Sequence, residues 1–139
     1  MTCNRVHVPT DGSMFSLKIL PAIQRFLSPE NNELIFFYVA PADKGAENGE
    51  DMGAEANIKA KLQQWDVQLR GEGYRVSLEV RFGEPSEEII NFIKVGNIDC
   101  IALTTHSRTG LSRLLLGSVA EQLLRSLSIP LLMLRPSVK

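Results

Sequence analysis

The residues best suited to chemistry lie in one segment near the carboxyl end of the chain, residues 99–121. A predicted buried strand, residues 99–103, enters a loop of small residues that ends on Gly117 and Ser118 at the start of a predicted helix. Gly117 permits close approach of the backbone, and Ser118 offers a hydroxyl beside the N–H group of Val119. Unpaired N–H groups at the positive end of a helix favour an anion such as phosphate.

A second interpretation of the same residues needs no ligand. Ser118 and Glu121 have the Ser-x-x-Glu spacing of a capping box, in which each side chain bonds a backbone N–H group. The two interpretations are compatible, because a capping serine still lies at an electropositive helix end. The sequence therefore predicts a helix start that is capped, open to an anion, or both.

Two further side chains could contact such a ligand. Asp11 follows the first predicted strand, where its carboxylate could accept a hydrogen bond from a ribose hydroxyl or an adenine amine. The Asp-Gly-Ser context is also typical of a turn or a helix cap, which local grounds favour slightly. Arg108 could reach phosphate oxygens or stay on the solvated surface, and the surface is the better interpretation for Arg113.

Several enzyme classes are disfavoured. Gly-x-Gly-x-x-Gly and the Gly-x-x-x-x-Gly-Lys-Ser/Thr loop are both absent, which argues against dinucleotide enzymes and P-loop NTPases. His106, Ser107 and Asp11 could suggest a hydrolase or transferase, but no Gly-x-Ser-x-Gly elbow accompanies them. No residue is therefore assigned a catalytic role. His7 lies inside a predicted strand, and we expect a sheet residue with satisfied nitrogens rather than a metal ligand.

Composition indicates one globular domain over residues 1–139. The net charge of -1 gives no reason to expect DNA, RNA or an acidic membrane as a partner. No apolar run approaches the roughly 20 residues that span a bilayer, and the amino terminus lacks a signal-peptide pattern. Cys3 and Cys100 have neither disulfide-framework nor metal-ligand spacing, so we expect no metal and a cytoplasmic location.

Short apolar runs alternate with segments of helical periodicity along the chain. The five predicted strands are residues 5–9, 33–40, 74–82, 99–103 and 129–135. The first two of four predicted helices have apolar faces at Phe15, Ile19, Ala22, Ile23, Phe26 and Leu27, and at Ile58, Leu62, Trp65, Val67 and Leu69. Residues 41–57, rich in acidic residues and glycine, predict a solvated loop that runs into the second helix. The alternation predicts a parallel α/β sheet, in which ligands bind at the carboxyl ends of strands where the strand order reverses.

Four segments carry a family resemblance that covers essentially the whole chain. They are residues 8–13, Tyr38-Val39, Gly83-Glu84-Pro85 and the long ordered segment 105–121. Together they resemble the universal stress protein family of the UspA type. The resemblance implies a flavodoxin/Rossmann-like three-layer sandwich, a five-stranded parallel sheet in the order 3-2-1-4-5 with four helices.

The resemblance also implies a homodimer joined through the last strand, Ile129 to Arg135. The sequence gives an independent reason to expect the homodimer. Residues 131–134 are apolar at every position, and an exposed apolar edge strand tends to pair with a strand of another chain.

Many members of this family bind ATP through a Gly-x-x-Gly-(nine residues)-Gly-Ser/Thr pattern. On this chain Thr104 and Ser107 stand at the first two glycine positions, and residues 108–116 separate them from Gly117-Ser118. The chain is thus similar to a nucleotide-binding subtype with altered loop glycines. If Thr104 had to adopt a positive φ, the strain would cost roughly 1–2 kcal/mol.

By this resemblance the chain is a cytosolic stress-response module that binds ATP or a related adenine nucleotide. Hydrolysis would be slow or absent, since no general base can be named. Asp11 would lie near the adenosine and is the candidate to help hold Mg²⁺, while the main chain of Val39 would read the adenine edge. The implied nucleotide-contacting residues are Pro9, Thr10, Asp11, Val39, Thr104, Ser107, Arg108, Gly117, Ser118 and Val119.

The replaced glycines, Thr104 and Ser107, favour an alternative of a different class. In that alternative the chain has lost nucleotide binding and works as a dimeric interaction module of the same family.

Overall fold

Five parallel strands form one sheet in the order β3-β2-β1-β4-β5. The computed structural model describes residues 3–10, 19–40, 49–104 and 117–134. The strands are β1 (Asn4–Thr10), β2 (Asn32–Ala40), β3 (Arg75–Phe82), β4 (Cys100–Thr104) and β5 (Leu131–Leu134). The helices are α1 (Ile19–Phe26), α2 (Gly49–Gly71), α3 (Pro85–Val95) and α4 (Gly117–Ser126). The predicted fold class and strand order are confirmed.

Each face of the sheet has its own hydrophobic core, because successive side chains of a strand point to opposite faces. The first core joins the sheet to α1 and α2 and includes Val6, Val8, Leu34, Phe36, Leu20, Ile23, Leu62 and Leu69. The second core joins the opposite face to α3 and α4 and includes Ile35, Phe37, Ile101, Leu103, Ile89, Ile93 and Leu123. The molecule therefore has three layers, with the sheet in the middle.

Hydrophobic patterning correctly places β2 inside the sheet and β3 at its edge. The continuous apolar run of β2 is buried on both faces. The alternating sequence of β3 is mostly half-buried, and this strand pairs with β2 alone in the described sheet.

Three details of the helices differ from the predictions. Residues 49–57 belong to α2 and not to a loop. Phe26 is 63% exposed and Val67 is 72% exposed, so neither belongs to the buried faces predicted for them. Phe26 ends α1 with the guanidinium of Arg25 over its ring. Val67 is five residues beyond Leu62, about 140° around the helix from the buried stripe.

Arg5 forms hydrogen bonds that join the carboxyl end of α3 to the amino edge of the sheet. Its Nε donates to the carbonyl oxygen of Gly96 at 2.9 Å, and its Nη1 lies 3.2 Å from Oε1 of Glu33. Its backbone N–H donates to Oδ2 of Asp99 at 2.8 Å. Asn97, between these contacts, has a φ of 54°, a left-handed conformation that Asn tolerates better than most residues. These bonds fix the turn from α3 into β4 and so the position at which β4 enters the sheet.

Candidate functional site

The strand order reverses between β1 and β4, which lie side by side although they are distant in sequence. Their paired residues are Val6 with Cys100 and His7 with Ile101. The pairing of β1 with β4 ends at His7 and Ile101 in the described strands, although β1 continues to Thr10 and β4 to Thr104. A ligand crevice is expected at such a switch point, at the carboxyl ends of the strands.

The structure places several of the predicted site residues at this edge. Pro9 and Thr10 end β1, and Thr10 is buried at 7% exposure. Val39 is half-buried in β2, one residue before that strand ends. Thr104 is the last residue of β4. The carboxyl edge therefore brings together strand ends that are far apart in sequence.

The remaining predicted site residues divide into two groups. Gly117, Ser118 and Val119 form the first turn of α4, as the sequence predicts for a helix start. Asp11, Ser107 and Arg108 lie outside the described residues, as do the predicted apolar position Phe15 and residues 41–48.

The backbone of Thr104 does not have the strained conformation that a glycine position could require. Thr104 is an extended residue of β4, opposite Leu134 of β5. In the described ranges, Asn97 is the non-glycine residue with a positive φ, and Thr104 does not have one. The cost of roughly 1–2 kcal/mol for a left-handed residue therefore does not arise at Thr104.

The two helices on the second face differ at their amino ends. Glu84 caps α3 by accepting a hydrogen bond from the backbone N–H of Glu87 at 2.9 Å, and Glu87 and Glu88 add negative charge to the first turn. The first turn of α4 contains no acidic residue. Carboxylates compensate the positive end of α3, whereas the first turn of α4 carries no such charge.

Gly83 shapes the turn between β3 and α3 beside the end of β2. Its N–H donates to the carbonyl oxygen of Ala40 at 2.9 Å. Its φ of 148° is one that residues with a Cβ rarely adopt, and a Cβ there would lie 3.0 Å from Oε2 of Glu88. The turn thus depends on glycine and keeps the β3–α3 connection close to the carboxyl edge.

His7 departs from the expectation of a satisfied sheet residue. Its side chain is fully buried, and neither ring nitrogen has a hydrogen-bond partner in the structure as described. Its ring centroid lies 4.6 Å from that of Phe37 and 5.7 Å from that of Phe92. Burial lowers the pKa of His7 to about 3, so the imidazole is neutral at neutral pH.

Metal and thiol chemistry find little support in the described ranges. No group of three or more His, Cys, Asp or Glu side chains is placed there to hold a metal ion. Cys3 and Cys100 are half-buried free thiols, and burial raises the pKa of Cys100. A raised pKa reduces the thiolate fraction on which cysteine reactivity depends.

In the described part of the chain, no helix combines the length and apolar character needed to cross a bilayer.

Comparison with known proteins assigns the chain to one family. Residues 2–135 match the model of the universal stress protein family. The chain belongs to the universal stress protein family. Universal stress protein MJ0531 of Methanocaldococcus jannaschii is 28% identical over 149 residues, covering 97% of this chain and 84% of that protein.

Solved universal stress protein structures share the fold over nearly the full chain. Protein MJ0577 of the same organism superimposes with a TM-score of 0.79 at 24% identity, covering 100% of both chains. A universal stress protein in complex with cAMP gives 0.71 at 20% identity, covering 99% of this chain and 100% of that one. A family member from Arabidopsis thaliana with AMP bound gives 0.69 at 12% identity, covering 97% and 93%.

Proposed function

We propose that this universal stress protein binds an adenine nucleotide at the carboxyl edge of β1 and β4 and acts as a cytoplasmic stress-response module. The observation that carries the proposal is the end of β1–β4 pairing at the switch point, followed by a helix whose first turn has no acidic residue. A crevice and a positive helix end suit a ligand with a base, a sugar and a phosphate. Two solved relatives, with cAMP and with AMP, add support.

The proposed contacts follow the elements that meet at this edge. The main chain of Val39 reads the adenine, and Pro9, Thr10 and Asp11 lie beside the ribose. Gly117, Ser118 and Val119 bind phosphate with N–H groups and a hydroxyl. Thr104, Ser107 and Arg108 complete the phosphate side, and Asp11 helps to hold Mg²⁺ when the ligand is ATP. Residues 1–139 act as one domain with little or no ATP hydrolysis.

Calorimetry with AMP, ATP, and ATP with Mg²⁺ tests this proposal. We expect measurable heat and a raised melting temperature at millimolar nucleotide. Because Thr104 is extended and unstrained, restoring glycine with the double substitution Thr104→Gly and Ser107→Gly is expected to change affinity by less than about tenfold, or 1.4 kcal/mol.

Each pattern of results supports one interpretation. Binding by both proteins supports the nucleotide proposal. Binding by the double variant alone means that the replaced glycines abolished the site, which favours a non-nucleotide interaction module. Absence of binding to both contradicts the proposal.

A dimeric interaction module is favoured by the edge position of β5. In the described sheet β5 pairs with β4 alone, and Leu131, Leu132 and Met133 are half-buried. We propose that a second copy of the chain covers this strand, since exposed apolar edges promote pairing.

Light scattering at micromolar concentration is expected to give the mass of a dimer. Leu132→Lys should shift the chain towards the monomer, because an edge lysine opposes strand pairing. Leu132 also packs against the first core, so the mass is compared only after a melting curve shows that the variant is folded. The exposed control Val67→Lys, on α2, should leave the mass unchanged. A wild-type monomer would contradict the dimer.

A further inference from the structure

A cluster of three rings and one cation lies between the sheet and α3, and the proposed nucleotide site does not use it. The His7 cluster consists of His7, Phe37, Phe92 and Arg81. The ring centroids of Phe37 and Phe92 are 5.0 Å apart, and both rings contact the imidazole. The guanidinium carbon of Arg81 lies 5.7 Å from the Phe37 centroid and 5.5 Å from the Phe92 centroid.

His7 occupies the centre of this arrangement, and among the described residues its ring nitrogens have no hydrogen-bond partner to stabilise a positive charge. It is paired in the sheet with Ile35 on one side and Ile101 on the other. Its ring is fully buried, and among the described residues no atom accepts or donates a hydrogen bond at either nitrogen. An unpaired charge in such surroundings is strongly unfavourable. Protonation of His7 therefore requires that water reach the ring.

The charged groups beside the two phenylalanine rings are paired with each other. Arg81, whose side chain is 40% exposed, covers the outer side of the two phenylalanine rings. Its Nη1 lies 2.8 Å from Oε1 of Glu79, so that carboxylate is already paired. The ion pair carries no net charge, so it offers no free carboxylate to a protonated imidazole.

The helices that pack on this face supply no compensating carboxylate in the described part of the chain. Glu88 of α3 lies against Gly83 at the start of that helix. Glu87 and Lys94 of α3, and Glu121 and Arg125 of α4, are exposed to solvent. Burial is accordingly the cause of the lowered pKa of His7.

We propose that the His7 cluster is an acid-sensitive latch, through which protonation of one buried imidazole releases the α3–α4 layer from the sheet while the α1–α2 layer keeps its packing. The two cores lie on opposite faces, and Phe92 of α3 is the part of the cluster contributed by a helix. Moving α3 admits water to His7 without disturbing the first core. Sub-global opening of this kind is common among packed units of one domain.

The direction of the pH effect follows from the two pKa values. The imidazole has an ordinary pKa of 6.5 when the layer is open and about 3 when it is closed. Above pH 6.5 both forms are neutral and pH has no effect through His7. Between pH 6.5 and about 3 the open form binds a proton that the closed form lacks, so opening becomes about tenfold easier per pH unit. At pH 4.5 the opening equilibrium should have risen about a hundredfold.

Hydrogen exchange measured by mass spectrometry at pH 7 and pH 4.5 tests the latch, with rates corrected for intrinsic exchange. In the wild type, protection of α3 and α4 should fall about a hundredfold, while protection of α2 falls much less. His7→Leu and His7→Phe remove the titrating ring and should abolish this difference between layers. Glu72→Gln, which removes a carboxylate that accepts a hydrogen bond from Gln24 of α1 on the opposite face of the sheet, should keep it.

Two outcomes would overturn the latch: equal loss of protection in both layers of the wild type, or persistence of the difference in a folded His7 variant. An NMR titration of the wild type needs no variant. The latch requires that the His7 resonance of the closed form stay neutral down to pH 4.5. Titration of that resonance near pH 6.5 with α3 still protected would contradict it.

Discussion

Replacing Ser118 by Asp is expected to weaken AMP and ATP binding by about 30-fold or more while leaving the melting temperature unchanged or slightly raised. Residue 118 lies in the first turn of α4. A carboxylate there stabilises a helix by about 0.3–1 kcal/mol. The same charge about 5 Å from a phosphate costs up to roughly 3 kcal/mol at an effective dielectric constant of 20, and screening reduces this to about 2 kcal/mol. Stability and affinity should therefore change in opposite directions.

Ser118→Asn is the matched control, since Asn has nearly the shape and capping ability of Asp but no charge. Calorimetry should give affinities for Ser118→Asn within about tenfold of the wild type, and the gap between Asn and Asp should narrow at high salt. Adenosine, which lacks phosphate, should bind the two variants equally. Equal AMP affinity in the Asp and Asn variants would show that phosphate does not bind at α4.

Much of the architecture follows from patterns that report burial directly. The unbroken apolar run of β2 needs cover on both faces, and the alternation in β3 suits an edge. The strand order itself follows from the family resemblance and not from these patterns. Strand and helix alternation then leaves few topologies. The strand ends that form the candidate crevice, Thr10 and Thr104, are predictable for the same reason.

Other features depend on contacts that no local pattern contains. Residues 49–57 resemble a loop in composition, but extending an existing helix needs no new nucleus, so α2 continues through them. The 23 residues of α2 span about 34 Å, longer than the roughly 26 Å of the eight-residue β3. The ring contact of His7 with Phe92 joins β1 to a helix far along the chain, so no local pattern predicts it.

Phe37→Ala is expected to lower the free energy of unfolding by about 3–5 kcal/mol, the usual range for truncating a buried phenylalanine. Phe37 is 1% exposed in β2 and contacts the rings of both His7 and Phe92. Its removal leaves a cavity between the sheet and α3, and the contacts with both rings are lost together. A loss of that size is a large part of the 5–15 kcal/mol that holds a typical domain folded.

Phe82→Ala is the matched control, the same truncation on a neighbouring strand at a residue that is 51% exposed. Urea denaturation should show a loss below about 1 kcal/mol for Phe82→Ala. Phe37→Leu, which keeps most of the apolar volume, should fall between the two alanine variants. Similar losses for Phe37→Ala and Phe82→Ala would mean that the second core is not packed around Phe37. Because Phe37 also shields His7, that result would remove the geometric basis of the latch as well.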